Sequence, residues 1–257
     1  MRLVVDETAA TLPWVVAFRE GWTSSPEVEL VVRDGLRAED VGPGACALLP
    51  TPDASLLMST HVVVPSVAAR FENGAPIALR TPVRPDEVTT TSVRLLDCSS
   101  VGEVVARGLL RNFYGMRPTT YSADATDAQA VVVEGLEALR EVEGGFNEDL
   151  GRAWRIFTDL PLVTHLLVVP QAASLAEINP ALDLLDAAAA ATQERRREWR
   201  QPLCDAEHLS RERLDGMLGS MRRTLESGDE RALVALLSHG GLGTRYPTTP
   251  QWRFFGA

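Results

Sequence analysis

The stretch DLGRAWRIFTDLP, residues 149–161, carries the strongest local signal for the fold of this chain. It combines a large aromatic side chain at Trp154 with turn-forming residues at Gly151 and Pro161, and a β-branched run follows at residues 164–169. Aromatic and turn residues in this arrangement specify how a helix packs against a sheet. We therefore interpret most of these positions as scaffold, and we expect the chemistry of the protein to lie elsewhere.

Strands and helices alternate on the N-terminal side of this stretch. Apolar, β-branched runs predict strands at residues 2–5, 28–32, 45–49, 61–67, 75–83, 93–96, 128–133 and 164–169. Between them, helices are predicted at residues 12–18, 104–113 and 136–140. The run at 128–133 is almost wholly apolar, which is typical of a parallel sheet covered on both faces. This alternation indicates an α/β fold.

The pattern changes after residue 174. Residues 181–200 and 210–237 are predicted to form two long amphipathic helices with no strand between them. The end of the chain, residues 246–255, is rich in aromatic side chains. Such a tail is expected either to pack as a terminal clamp or to form a contact in an oligomer.

Composition excludes several classes of function. The 257 residues carry a formal net charge of −10, whereas a nucleic-acid partner requires a basic surface. No stretch resembles an export signal or a membrane span, and the three cysteines form no C-x-x-C pair. A reduced, cytoplasmic location is therefore expected, without a membrane partner. The four histidines lack metal-ligand spacing, so no metal site is predicted.

Four motifs together resemble the futalosine-pathway menaquinone-biosynthesis family, whose best-known activity is chorismate dehydration. Residues 149–161 match that family's D-L-G-x-x-W-x-x-x-T-x-L-P pattern, and Thr11-Leu12-Pro13 matches the end of its S-Y-L-N-T-L-P motif. Asn73-Gly74 falls where the family has a D-G turn, and Phe113-Tyr114-Gly115 falls at its F-Y-G. The resemblance extends from about residue 4 to residue 170.

The resemblance implies an α/β, two-lobed, periplasmic-binding-protein type II-like clamshell with C-terminal helices. Residues 1–83 and 171–257 are expected to form the N-terminal lobe with its helical part, and residues 84–170 the second lobe. The chain would cross between the lobes near residues 82–86 and 168–170. Ligands of such folds bind at the carboxyl ends of the strands, where helix N-termini offer backbone N–H groups to anions.

Several positions that contact ligand in the family are altered here. The family's asparagine in the first motif is replaced by Ala10, its small-polar loop S-x-T-S becomes Ser99-Ser100-Val101-Gly102, and the aspartate of its G-D becomes Leu136. An alanine methyl group cannot hydrogen-bond a developing charge. Glu72, in place of a small polar residue, would repel a dicarboxylate if it faced the cleft.

The remaining polar residues at matching positions are the candidate ligand-binding residues. They are Thr8 and Thr11 in the first loop, Asn73 in the turn, and Ser99 and Ser100 at the start of a helix. The partner implied is a small-molecule carboxylate, with no cofactor, and a homodimer is a candidate assembly. His165 is expected to be a hydrogen-bonded core residue rather than a general base. Glu7 and Glu72 could share a proton, or could be ordinary surface acids.

Two functions follow from this pattern. The first is a divergent chorismate dehydratase-like lyase that eliminates water from chorismate or a related carboxylate without metal or organic cofactor. The second is a non-catalytic protein that binds or senses a small molecule on the same clamshell. The second explains Ala10, Val101 and Leu136 more economically, because polar groups are lost while the scaffold is kept.

Overall fold

The computed structural model describes residues 1–256. Its eleven strands and eight α-helices are, in chain order, β1 (Arg2–Asp6), α1 (Leu12–Arg19), β2 (Glu29–Arg33), β3 (Ala45–Pro50), α2 (Thr51–Leu56), β4 (His61–Phe71), β5 (Ile77–Thr81), β6 (Thr90–Leu96), α3 (Ser100–Asn112), β7 (Arg117–Ser122), β8 (Ala130–Glu134), β9 (Phe146–Asp149), α4 (Leu150–Thr158), β10 (Leu162–Pro170), α5 (Leu175–Glu194), α6 (Arg196–Glu207), α7 (Arg211–Ser220), β11 (Met221–Arg222) and α8 (Glu230–Gly240).

The first lobe is built on a six-stranded sheet with the order β11-β4-β10-β3-β1-β2. Strand β1 pairs in parallel with β2 and β3, whereas β10 runs antiparallel to both of its neighbours, β3 and β4. Every residue of β10 except Pro170 is buried. A strand covered on both faces buries every side chain, which is why this sequence is apolar except for Thr164 and His165, whose polar atoms are hydrogen-bonded.

The second lobe is built on a five-stranded sheet with the order β7-β6-β8-β5-β9. Strand β6 is parallel to β7 and β8, and β5 is antiparallel to β8 and β9. The edge strands β7 and β9 were not predicted, because their side chains are mostly exposed and polar. Their pairing depends on the neighbouring strand rather than on a local hydrophobic pattern.

The chain changes sheet at different positions from those expected. It leaves the first sheet after Phe71 and enters the second at Ile77, and it returns between Asp149 and Leu162. Residues 77–81 therefore pair in the second sheet, whereas the expected crossing at 82–86 placed them in the first lobe. Residues 162–170 pair in the first sheet, whereas the expected crossing at 168–170 placed most of them in the second lobe. The turn at Asn73-Gly74, where Gly74 has a φ of +88°, redirects the chain toward the second sheet before it reaches Pro82.

The C-terminal part is more divided than predicted. Residues 210–237 were expected to form one helix, but α7 ends at Ser220 and α8 begins only at Glu230. Between them, Met221 and Arg222 pair with the edge of β4, and Gly228 adopts a φ of +100°. The long helix is interrupted because the β4 edge offers hydrogen bonds that a continuous helix would leave unmade. Within residues 1–256, no helix combines the length and apolarity that crossing a membrane requires.

Candidate ligand-binding cleft

A cleft of about 650 Å³ lies between the two lobes. It is lined by residues at or just beyond the carboxyl ends of β1, β6 and β8, together with residues of α1, α6 and the loop that follows β2. Loops at this end of a parallel sheet are free of strand pairing and can present side chains and helix N-termini to a ligand. The cleft is therefore the principal candidate for a binding site.

The Glu134 carboxylate occupies the N-terminus of α3. Its Oε2 accepts hydrogen bonds from the backbone N–H of Ser99 at 2.7 Å and of Gly102 at 3.2 Å, and its Oε1 accepts one from the Ser99 hydroxyl at 2.8 Å. Unpaired N–H groups and the helix dipole make this position suited to an anion. An acid from the end of β8 thus fills the place in which we expected a ligand carboxylate to dock.

Burial determines the protonation behaviour of this acid. Glu134 is 6% exposed, and its removal from water raises the pKa of its carboxyl, while the hydrogen bonds from Ser99 act in the opposite direction. The charges of His165 and Asp6 act on this pKa in opposite directions, the first lowering it and the second raising it. No arginine forms a salt bridge with Glu134 within residues 1–256.

Asp6 faces the same cleft from the first lobe. It is fully buried at the end of β1, where its Oδ1 accepts a hydrogen bond from the Leu36 N–H at 2.8 Å. Its Oδ2 lies 3.1 Å from Nε2 of His165, whose Nδ1 lies 3.1 Å from the Thr164 hydroxyl. His165 is 0% exposed and bonded on both ring nitrogens, so it is a hydrogen-bonded core residue as expected.

The cleft has an excess of acidic groups. Its three arginines are each engaged by acids of this chain: Arg19 pairs with Glu7, Arg37 with Asp53, and Arg140 with Glu137 and Glu207. Seven acids line the cleft, namely Asp6, Glu7, Asp34, Asp97, Glu134, Glu137 and Glu207. Within residues 1–256, each cleft arginine is therefore ion-paired with an acid of this chain, and a ligand carboxylate would compete with that acid for the bidentate contact.

Only two of the five predicted ligand-binding residues line the cleft. Thr8 does so with a buried hydroxyl that has no hydrogen-bond partner in residues 1–256, and Ser99 does so while bonded to Glu134. Thr11 is fully buried, and its hydroxyl donates to the backbone oxygen of Asp6 at 2.6 Å. Ser100 is also buried and does not line the cleft. Asn73 lines a separate pocket of about 330 Å³ together with Gly74, Asp149 and Ser220.

Of the positions at which this chain departs from the family's pattern, some line the cleft and others do not. Leu136 lines the cleft, whereas Ala10 is packed in the core and lies outside the lining. Glu72 does not face the cleft either, because it forms an ion pair with Arg70 beside β11. The condition under which Glu72 would repel a ligand is therefore not met. Of the two alternatives for Glu7 and Glu72, separate acids rather than a proton-sharing pair fit the structure, because each is ion-paired with a different arginine.

The sequence reasoning missed the two buried acids of the cleft. Asp6 and Glu134 each close a run of apolar residues at the carboxyl end of a strand, in LVVD and AVVVE. An acid in that position was a usable signal, because the carboxyl ends of the parallel strands in such a fold face the cleft. Within residues 1–256, no group of three or more His, Cys, Asp or Glu side chains has a geometry that could hold a metal ion.

An apolar pocket of about 500 Å³ adjoins the cleft. The two have Leu12, Val15, Arg19 and Leu203 in common in their linings, so they are adjacent. The additional side chains of this pocket, which we call the annex, are Val16, Glu20, Trp22, Glu198, Trp199 and Pro202. An acidic cleft therefore lies beside a pocket whose lining is more apolar.

Comparison with solved structures identifies the fold as a two-lobed periplasmic-binding-protein-like clamshell. Protein AF1704 from Archaeoglobus fulgidus superimposes with a TM-score of 0.67 at 14% identity, over 93% of this chain and 96% of that one. The alkanesulfonate-binding protein SsuA from Xanthomonas axonopodis pv. citri, bound to MOPS, matches with a TM-score of 0.62 at 11% identity, over 92% and 90%.

A third structure is described by its fold. The Candida albicans CA3427 gene product, which exhibits the generic periplasmic-binding-protein fold, matches with a TM-score of 0.58 at 12% identity, over 95% of this chain and 90% of that one. No protein-family model matches the sequence, and no curated protein matches it either. The fold expected from the sequence resemblance is confirmed.

Proposed function

We propose that this chain is a small-molecule-binding protein that holds its ligand between the two lobes and has lost the dehydratase chemistry of the family that its motifs resemble. The observation that carries this proposal is the Glu134 carboxylate on the N-terminus of α3. A dehydratase acting on a dicarboxylate needs anion-binding groups in its cleft. Here the best of those groups is occupied by the protein itself.

The charges of the cleft support the same conclusion. A dicarboxylate entering it would meet Asp6 and Glu134 in a poorly solvated chamber and would find each arginine already paired. Like charges in such surroundings repel by several kcal/mol at the effective dielectric of a protein site. The motif at residues 149–161 then marks a divergent relative in which the scaffold was retained and the cleft was changed.

A lyase acting on chorismate or a related carboxylate remains the second candidate, and one observation favours it. Glu134 is a buried cleft carboxyl whose pKa is raised by burial, and such a group can exchange a proton with a substrate. In this reading Glu134 would leave the helix terminus when substrate binds and would accept the ring proton. The carbon–oxygen bond would then break as the ring double bond forms, and the departing hydroxide would take the proton from Glu134 to leave as water. Water would be expelled as the lobes close around the substrate.

Two measurements decide between these functions. Purified protein is incubated with chorismate at high enzyme concentration and the product is followed by mass spectrometry, with Glu134→Gln as the variant that lacks the proton acceptor. A thermal-shift screen of small carboxylates, nucleosides, amines and aromatic metabolites is run in parallel. Stabilisation by a ligand without chorismate turnover supports binding. Turnover that disappears in Glu134→Gln supports the lyase instead.

Cytoplasmic location and homodimer formation belong to the same proposal. Free cysteines at Cys46, Cys98 and Cys204, of which Cys46 and Cys204 are buried, are compatible with a reducing compartment. Fractionation of expressing cells tests the location. Sedimentation velocity of the purified chain tests the assembly, and a single species of monomer mass would contradict the dimer.

A further inference from the structure

We propose that the pocket around Asn73, which we call the crossing pocket, is a second small-molecule site that binds a short apolar monocarboxylate, with Arg213 holding the carboxylate. The crossing pocket and the cleft have no lining residue in common. This inference therefore goes beyond the proposed function and does not depend on it.

The crossing pocket lies between the second lobe and a helix of the C-terminal part. Its lining comes from the crossing at residues 73–75, from β5 and β9 of the second sheet, from residues 138–139 and from α7. Its volume of about 330 Å³ is at the lower end of the range typical of small-molecule sites. The space therefore suits a small ligand rather than a large cofactor.

Arg213 is the accessible cation of this pocket. It lies on α7, is exposed and forms no salt bridge within residues 1–256. Its Nη1 donates to the backbone oxygen of Arg140 at 3.0 Å, which anchors the guanidinium group without neutralising its charge. Its remaining N–H groups can bind a carboxylate bidentately. The arginines of the cleft and the annex differ in this respect, because each of them is ion-paired with an acid.

Two amide side chains line the same pocket. Asn73 follows β4 at the crossing, and Asn147 lies in β9. Both are exposed, and neither amide makes a hydrogen bond in the part of the chain described here. An amide NH₂ group donates two hydrogen bonds, so these side chains can complete the hydrogen bonding of a carboxylate held by Arg213. Three residues with uncommitted polar side chains therefore line one pocket from three different elements.

Apolar side chains form the opposite part of the lining. They are Ile77 and Ala78 of β5, Leu139, and Met217 of α7, and each is largely buried. A ligand with an apolar body would remove the rest of this surface from water, and the binding free energy would grow with the apolar area covered. A carboxylate without such a body would leave the surface hydrated. The lining therefore favours an acid with a short hydrocarbon chain.

Asp149 limits the ligand to a single carboxylate. Its Oδ1 accepts from the N–H groups of Arg152 and Ala75, and it forms no salt bridge within residues 1–256. Arg213 is the one arginine in the lining among these residues. A second carboxylate on the ligand would lack a cationic partner and would meet the charge of Asp149, and like charges repel. We therefore expect the pocket to prefer a monocarboxylate to a dicarboxylate.

Matched probes test the charge and the shape of the ligand. The compound 4-methylpentanoate carries one carboxylate on an apolar chain, and 4-methylpentanamide has the same shape without the charge. Acetate lacks the apolar chain, and hexanedioate carries a second carboxylate. Ligand-observed NMR titrations are expected to show that 4-methylpentanoate binds at least about tenfold more tightly than each of the other three.

Variants locate the bound acid. Arg213→Gln is expected to weaken 4-methylpentanoate binding on the order of tenfold, because a charge-assisted contact is lost. Asn73→Ala is expected to weaken it about threefold, and it carries the test if Arg213→Gln does not fold. Arg197→Gln is the matched control, because Arg197 is also an exposed helical arginine without a salt bridge in residues 1–256 and does not line the pocket. It should leave the affinity unchanged.

The outcomes separate this inference from the proposed function. Equal or tighter binding of 4-methylpentanamide would overturn the carboxylate, and equal or tighter binding of hexanedioate would overturn the preference for a single charge. Weaker binding of 4-methylpentanoate to Thr8→Ala, with no loss in Arg213→Gln, would place the acid in the cleft and overturn the second site. Failure of all four probes to bind would overturn the inference and leave the proposed function standing, because that function concerns the cleft.

Discussion

Gly102 leaves the space in which the Glu134 carboxylate sits. A Cβ atom added at Gly102 would lie 2.5 Å from Oε2 of Glu134 and 3.1 Å from Cβ and Sγ of Cys98. Any side chain at this position would therefore push Glu134 off the start of α3. Gly102, in the first turn of α3, therefore allows Glu134, an acid 32 residues later in the chain, to occupy the anion-binding position at the start of that helix.

Replacing Gly102 tests this arrangement. Gly102→Ala is expected to lower the free energy of unfolding by about 2–4 kcal/mol, through overpacking and the loss of buried hydrogen bonds. Gly216→Ala, in α7 where an added Cβ meets open space, is the matched control and should be neutral or stabilising by up to about 1 kcal/mol. Chemical denaturation of both variants provides the measurement. Equal effects of the two substitutions would contradict the role of Gly102.

The pKa of Glu134 predicts a pH dependence of stability. Because burial raises this pKa in the folded state above its ordinary value of 4.5, the folded protein binds the proton more tightly than the unfolded chain. The stability contributed by protonation is fully present below pH 4.5 and is lost as the pH rises through the folded-state pKa. Relative to Glu134→Gln, the wild-type protein should therefore lose unfolding free energy over the pH range above 4.5. A constant difference across this range would refute the shift.

At the scale of the elements, residues 149–161 dock α4 onto the crossing between the lobes. Asp149 caps the helix, since its Oδ1 accepts from the Arg152 N–H at 2.9 Å, and the same oxygen lies 3.3 Å from the Ala75 N–H in the crossing. A Cβ at Gly151 would collide with the backbone of Ala75, so the D-L-G triplet permits the close approach. Trp154 is fully buried, and Asp159 ends the helix with a φ of 56°.

Removing the cap of α4 should destabilise the protein without touching the cleft. Asp149→Ala is expected to cost about 1–2 kcal/mol of unfolding free energy, because the first turn of α4 and the crossing both lose an acceptor. Arg152→Ala, an exposed change in the same helix, should stay within about 0.5 kcal/mol. Thermal unfolding measures both. The proposed function predicts that ligand affinity is unchanged in either variant, and an altered affinity would link the crossing to the cleft.

The elements differ in how far the sequence predicts them. Buried strands such as β1, β3 and β10 were predicted to within two residues at each end, because burial on both faces demands an apolar run. The edge strand β7 was missed, since it is held by hydrogen bonds to β6 and has few buried side chains. The break between α7 and α8 was missed for a related reason, because β11 forms only where the β4 edge is available.

At the scale of the whole molecule, the C-terminal segment contacts both lobes. Helix α8 packs against α3 of the second lobe, where Gly240 lies directly on the backbone of Val104. The tail then returns to the first lobe: Arg245 forms an ion pair with the fully buried Asp53 at 2.8 Å, and Phe255 bonds to Val63 of β4. The aromatic tail, for which a terminal clamp and an oligomer contact were the two expectations, packs against the first lobe of its own chain, and α8 contacts elements of both lobes.

The contact at Gly240 should control how tightly the lobes are joined. Gly240→Ala is expected to separate α8 from α3, with a loss of about 2–4 kcal/mol of unfolding free energy and faster amide exchange in α3. Gly44→Ala, at a position where a Cβ meets open space, is the control. Hydrogen exchange by mass spectrometry gives the readout. Unchanged exchange in α3 would show that the tail does not restrain the second lobe.

By itself, the sequence determined the α/β class and the buried strands, because these depend on local apolar patterns and on turn residues. The two-lobed scaffold was implied by the resemblance of its motifs to a known family, and for the aromatic tail the sequence left a terminal clamp and an oligomer contact as alternatives. It also placed Ser99 at the start of α3 and Thr8 in the first loop. Only the tertiary structure decided the character of the cleft. The seating of Glu134 on Ser99 and Gly102, and the burial of Asp6 against His165, join residues 32 to 159 positions apart. Local sequence patterns do not encode such contacts, because which charges face one another depends on how the two sheets are brought together.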